Sequence, residues 1–313
     1  CDIIVMFGRK PRCKSLEQAE RELDALRLAG ARNAFFVDDN LIGNKPLAKR
    51  LLAFLADYQE RHGRPFRFGT EVSLNVAHDT ELLEGLRDAG FTWVFIGIET
   101  PDEESLKQTR KVQNTRQDML ASVRRIYSYG IDVLAGFIVG FDNDTEAIFE
   151  KQRRFVMESG IQAAMIGLLT ALPRTPLHER LRKEGRLIEN AAHSDNTKLV
   201  TNVLPKNMSY QALIDGYLKL YRELLTDRGI AERIRNKMKH MSAPVYRGEY
   251  TRPQQLLILW RLLVRGLLPG GPRRLVRFLR TLPLTAPRKL PLVVVDWIAG
   301  LAMWDYVRRE LAN

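Results

Sequence analysis

The chain has 313 residues, 45% hydrophobic and 27% charged, enough for one large domain plus a smaller one; this excludes a disordered tail and a membrane bundle. The formal net charge of +12 leaves nucleic acid, an anionic membrane surface and anionic substrates as candidate partners, but from Ser242 onward 12 Lys+Arg stand against 4 Asp+Glu, so +8 of the +12 lies in the final segment. Two cysteines, Cys1 and Cys13, cannot build a disulfide framework, and a reducing compartment is expected. The first residue is Cys and not Met, so the chain reads as a fragment and the absence of a signal peptide carries no weight. No uninterrupted apolar run of about 18 residues occurs, and no spanning helix is predicted.

Ser15 and Gln18 predict a capping box ahead of the apolar positions Leu16, Ala19, Leu23 and Leu26. Gly30 closes that helix, and an apolar run follows at Ala34–Val37. The same punctuation recurs at Gly90 before Val94–Ile98, at Gly130 before Val133–Val139 and at Gly160 before Ala163–Leu169. A fifth run, Phe66–Leu74, follows Gly63 and Pro65. Asp79 is the predicted N-cap of the helix carrying Leu82, Leu83 and Leu86, and Thr100 is the predicted N-cap of a helix that starts with Pro101 and Glu103. The runs lack strict alternation, as expected for strands covered on both faces. Alternation of strand and helix at roughly 30-residue spacing implies parallel strands joined by right-handed crossovers. The pattern is α/β, and by itself it leaves a doubly wound sheet and an incomplete barrel open.

The C-terminal ends of the five runs are polar or glycine-rich: Asp38, Asp39 and Asn40; Glu71 and Ser73; Glu99 and Thr100; Gly136 through Gly140 and Asp142; Thr170. In a parallel barrel these ends meet at one rim, where active sites are built. Carboxylates gathered there repel one another unless a cation or hydrogen-bond donors satisfy them. Each residue also has a plainer reading: Asp38, Asp39 and Asn40 as caps of the next helix, Glu99 as a loop acid, Gly136 and Gly140 as packing glycines. The joint pattern favours a site, because independent caps do not fall at every strand end.

These motifs resemble the cobalamin-binding radical S-adenosylmethionine (SAM) family, in the subgroup with a C-terminal extension that includes hopanoid methylases. The resemblance is carried by Cys1-Asp2-Ile3-Ile4, Phe7-Gly8-Arg9 and Pro11-Arg12, then by FFVDDNLIGN (Phe35–Asn44), TEVSLN (Thr70–Asn75), VFIGIETP (Val94–Pro101), KVQNTR (Lys111–Arg116), GFIVGFD (Gly136–Asp142), GLLTALPRTPL (Gly167–Leu177) and EGRL (Glu184–Leu187). Arg174 departs from the pattern, since glycine is commoner there. The resemblance implies a partial (β/α)6-type radical SAM barrel over residues 1–185 that lacks its first strand, a helical C-terminal extension over 186–241 and a basic, apolar helical tail over 242–313.

It also implies the chemistry. Cys1 would be the third cysteine of a Cys-x-x-x-Cys-x-x-Cys motif that holds a 4Fe–4S cluster, and so a metal ligand and catalytic residue. The open iron chelates SAM, and electron transfer yields methionine and a 5′-deoxyadenosyl radical that removes hydrogen from an unactivated carbon. Methylcobalamin, carried on an N-terminal domain absent from this chain, then supplies a methyl group. Asp38 and Asp39 match the acidic strand end near the SAM amino group, where charge-assisted bonds are strong. Glu71, Ser73 and Glu99 match positions on the ribose or methionine side, and Gly136 and Gly140 the strand beside adenine. The implied partners are a small-molecule substrate, lipid-like in the hopanoid subgroup, and a reductant such as flavodoxin or ferredoxin; the implied location is cytoplasmic. Nucleic acid is not expected, because the basic tail carries no recognised module.

Cys13 does not fit the motif spacing and reads as an incidental thiol packed in the barrel. His62, His78, His178, His193 and His240 show no metal-ligand spacing. In the tail, Leu256–Leu268 is apolar apart from Arg261 and Arg265, arginines surround a Pro/Gly break near Gly270, and Leu292–Trp304 is apolar apart from Asp296. Two readings stay open: helices packed on the barrel, or a peripheral contact with the inner face of a membrane. Competing functions are a non-methylating radical SAM enzyme, a catalytically inert fragment serving as a binding module, and a metal-dependent hydrolase, which would need histidines at the strand ends.

Overall fold

The computed structural model describes residue 8 and residues 12–108, 118–188, 200–244 and 250–310. Five strands form one parallel sheet: β1 (Asn33–Phe36), β2 (Arg67–Glu71), β3 (Phe91–Glu99), β4 (Asp132–Val139) and β5 (Ala164–Leu168), in the order β1-β2-β3-β4-β5. All five predicted runs are strands. Each strand lies beside its successor, whereas a doubly wound sheet reverses order at its switch point. The α/β fold is therefore of the barrel type, followed by a mostly helical C-terminal part.

The crossovers carry α1 (Leu16–Leu28), α2 (Lys45–Arg61), α3 (Thr80–Ala89), α4 (Glu103–Gln108), α5 (Met119–Ser128) and α6 (Ala147–Ser159). The predicted capping box at Ser15 and Gln18 is present, Asp79 caps α3, and the four punctuating glycines all have positive φ. One start is corrected. The carboxylate of Asp102, not the hydroxyl of Thr100, accepts the Ser105 N–H at 3.1 Å. Thr100 instead accepts from the Asp102 N–H, which leaves Pro101 outside the helix.

The helix-covered face of the sheet is fully buried, with Phe68, Val94, Ile96, Ile98, Val133, Ala135, Phe137, Ile166 and Leu168 in the core. Burial alternates strictly along β3 from Val94 and along β4. The strands are thus not covered on both faces by the described residues, and the inner face stays half-exposed, with Phe35 41% and Met165 52% accessible.

Beyond β5 lie α7 (Pro176–Lys183), α8 (Tyr210–Leu224) and α9 (Asp227–His240). Helix α8 seals the edge of β5: Ile166 N–H donates to the Tyr221 hydroxyl and Ile166 C=O accepts from the Tyr217 hydroxyl, each at 2.9 Å, so the edge offers no free pairing there. Helix α9 crosses so close to Gly160 that a Cβ there would lie 2.5 Å from Lys237 N. The tail comprises α10 (Arg252–Arg261), which continues through a π segment (Leu262–Leu267) and a 3-10 turn (Leu268–Gly270), then α11 (Gly271–Leu279) and α12 (Leu290–Glu310). Leu262, Leu267, Val293, Val294 and Trp297 form a second core with Ile230, Ala231 and Ile234 of α9.

The stretch Pro287–Arg309 has the length and mean hydropathy, 1.5, to cross a membrane. Asp296 in its middle is instead buried and accepts from Lys237 Nζ at 2.8 Å, and Lys237 also reaches Asp132 at the start of β4 at 2.8 Å. That bond is possible only with α12 laid against α9.

Candidate functional site

Because every strand is parallel, the inner-face residues fall into rows set by the register. Phe35, Gly69 and Trp93 form the lowest row, Glu71, Phe95 and Leu134 the next, Gly97, Gly136 and Met165 the third. Ile138 and Gly167 pair in the fourth, beside Glu99, which follows a register shift between β3 and β4. The floor is aromatic: Phe35 stacks on Trp93 at 5.2 Å with planes 6° apart, and Trp93 lies flat over Gly69, where a Cβ would be 2.3 Å from the indole. A bare strip of backbone crosses the middle at Gly97 and Gly136. The mouth is acidic.

The mouth is built by local hydrogen bonding. After β1, the Asp38 carboxylate accepts the Asn40 N–H at 3.1 Å. The Asn40 side-chain carbonyl accepts the Ser73 N–H at 3.1 Å, and Leu41 N–H donates to Glu71 C=O at 3.0 Å, so the β1 and β2 ends are tied together. Ser73 Oγ donates to Asn75 at 2.6 Å. Helix α2 is capped by Asn44, whose side chain accepts the Leu47 N–H. The capping alternative for Asp38, Asp39 and Asn40 is therefore not how this helix starts. Burial raises the pKa of Glu71, and Asp39 and Asp38 add to the shift, so the three acids share one field. Glu99 adopts φ 68°, in the left-handed region, at the end of the shifted segment.

Gly140 follows β4 with φ 106°. Its N–H donates to the Asp144 carboxylate at 2.8 Å, as does the Phe141 N–H at 3.0 Å, and Ser105 Oγ donates to the other oxygen at 2.8 Å. Asp144 is buried, and burial raises its pKa against the lowering effect of those bonds. It was not singled out in the sequence, where it is one of several polar residues in a turn. Its role, locking the β4 end to α4, depends on a partner 39 residues away.

Asp38, Asp39, Glu71, Ser73, Glu99, Gly136 and Gly140 thus all stand on the inner face or at its C-terminal mouth. Cys1 and the KVQNTR segment lie outside the described residues, as does His193. Cys13 is a free, exposed thiol just ahead of α1, and not packed in the barrel as expected. Among the described residues no group of three or more His, Cys, Asp or Glu is placed to hold a metal ion.

The family profile of the radical SAM superfamily matches residues 1–156. The chain belongs to the radical SAM superfamily. A domain of unknown function, DUF4070, matches residues 175–313. The hopanoid C-2 methylase of Rhodopseudomonas palustris is 39% identical over 276 residues, covering 85% of this chain and 51% of that protein. An uncharacterised methyltransferase of Synechocystis is 38% identical over 268 residues, covering 83% and 50%. The chain thus spans about half the length of these relatives. The fold is that of the radical SAM methyltransferase TsrM from Kitasatospora setae, with a TM-score of 0.50 at 16% identity, covering 93% of this chain and 56% of TsrM.

The inner face of this radical SAM chain suits SAM by the chemistry of its groups. Burial first, and then the charges of Asp39 and Asp38, raise the Glu71 pKa, and a cationic ligand offsets both effects. The paired glycines let a planar ring approach backbone. The described acids can accept hydrogen bonds from an ammonium or from ribose hydroxyls; iron in a sulfur cluster takes thiolates instead.

Proposed function

We propose that the intact protein is a cobalamin-dependent radical SAM methyltransferase acting on an unactivated carbon of a lipid-like small molecule at the inner face of the cytoplasmic membrane, with flavodoxin or ferredoxin as reductant. The supporting observation is the row arrangement: acids at the mouth, a glycine strip across the middle, aromatic rings on the floor. The relatives named as methyltransferases support the reaction class, and the hopanoid methylase supports the substrate class. When bound, a 4Fe–4S cluster supplies the electron that cleaves SAM, and cobalamin carries the methyl group.

The residues of this chain bind and orient. Asp38 and Asp39 accept from the SAM ammonium, Glu71, Ser73 and Glu99 accept from ribose or orient the methionine moiety, and Gly136 to Gly140 flank adenine. Cys1 is a cluster ligand. The apolar floor of Phe35, Trp93 and Phe95 keeps water from the reacting carbon. The barrel is assigned to residues 1–185, the helical extension to 186–241 and the tail to 242–313.

The test uses the full-length protein, reconstituted anaerobically with iron, sulfide and cobalamin and reduced by flavodoxin. Formation of 5′-deoxyadenosine together with S-adenosylhomocysteine is expected. 5′-Deoxyadenosine without S-adenosylhomocysteine indicates a non-methylating radical enzyme, and no SAM cleavage by cluster-loaded protein overturns the reading.

A further inference from the structure

The tail turns a continuous apolar stripe away from its own core. Leu256, Trp260, Val264 and Leu268 recur every four residues along α10 and the segments that continue it, and they are 67%, 62%, 38% and 53% exposed. Leu257 and Leu259 widen the stripe. The opposite side, Leu262 and Leu267, is buried in the second core, so the helix has both an inner and an outer apolar face. Soluble proteins rarely leave such a patch uncovered.

The surrounding charge identifies the cover. Arg261 and Arg265 lie within this run, and Arg273 and Arg280 lie on the exposed side of α11, which is held against the π segment by Arg274 donating to Gly266 C=O at 2.7 Å. Among the described residues none of these four arginines has a carboxylate partner, whereas Arg274 is bound to Asp227 at 2.8 Å. Apolar side chains flanked by unpaired guanidinium groups complement a surface with hydrocarbon below and phosphate above. Helix α12, the one described helix apolar enough to span, is held down by Asp296 and Lys237. The contact is thus one that lies on the bilayer.

We propose that α10 and its continuation dock on an anionic lipid bilayer, with Leu256, Trp260, Val264 and Leu268 in the interface and Arg261, Arg265, Arg273 and Arg280 on lipid phosphates. This deepens the membrane reading given above by naming the surface. Vesicle binding can fail while SAM cleavage persists, and the reverse, so the two are distinguishable.

The experiment is co-sedimentation of the full-length protein with vesicles of phosphatidylcholine containing about one third phosphatidylglycerol, and with pure phosphatidylcholine. Binding is expected only to the anionic vesicles, weakening as salt rises from about 0.05 to about 0.5 M. Each of Arg261→Glu and Arg265→Glu is expected to lower partitioning about fivefold or more. Leu256→Ser with Trp260→Ser should lower it about tenfold or more, and SAM cleavage should be unchanged because these side chains touch neither core nor site. The Trp260 emission, isolated by difference against Trp260→Phe, should be quenched by iodide in solution and protected on vesicles. Failure to sediment, equal binding to neutral vesicles, variants that bind like wild type, or a Trp260 already shielded without lipid by another segment or a second copy would overturn the proposal.

Discussion

Gly97 and Gly136 sit directly opposite each other on β3 and β4, and together they leave bare backbone across the third row of the inner face. A side chain at 136 would start 3.0 Å from the Phe95 ring. Gly136→Val is therefore expected to push that ring across the trough and to weaken SAM binding about tenfold or more. Isothermal titration of the cluster-loaded protein measures this, and unchanged affinity would remove the adenine role of the strip.

Glu71 opposes stability and favours ligand for the same reason. Its folded-state pKa is raised above the ordinary value, so the stability linked to it is fully present at acid pH and is lost as pH rises through the folded value. At neutral pH, Glu71→Gln should stabilise the ligand-free protein by less than about 1 kcal/mol while weakening SAM binding. Urea midpoints paired with binding curves show whether both signs hold.

Lys237 is wholly buried between Asp132 and Asp296. Lys237→Met leaves the buried Asp296 and the part-buried Asp132 without their cation, and a loss of about 3–5 kcal/mol is expected. Burial raises the Asp296 pKa above the ordinary carboxylate range against the lowering effect of Lys237, so stability should fall between pH 6 and pH 8. Asp296→Asn should flatten that dependence, and denaturation at the two pH values decides it.

Local chemistry was legible in the sequence and distant pairing was not. The Ser15 box and the Asp79 cap are decided within three or four residues, and the five apolar runs announce their strands. Thr100 was misread because two candidate caps, Thr100 and Asp102, stand two residues apart and only the backbone path chooses between them. Asp296 reads as an interruption of an apolar helix, yet its partner lies 59 residues earlier. Asp144 likewise takes its meaning from Ser105 and from the Gly140 N–H. The mouth acids were found because parallel topology converts a repeated position in sequence into one place in space.

The two-residue step of β3 has a further consequence. Trp93, Phe95, Gly97 and Glu99 reach the trough only because each is separated from the next by one residue that faces the helices. Deleting any single residue among them would turn every side chain beyond the deletion onto the wrong side, putting an acid or a bare glycine where the protein needs oil. A substitution along β3 therefore changes the trough at one point only, whereas a change in the length of the strand alters every position beyond it.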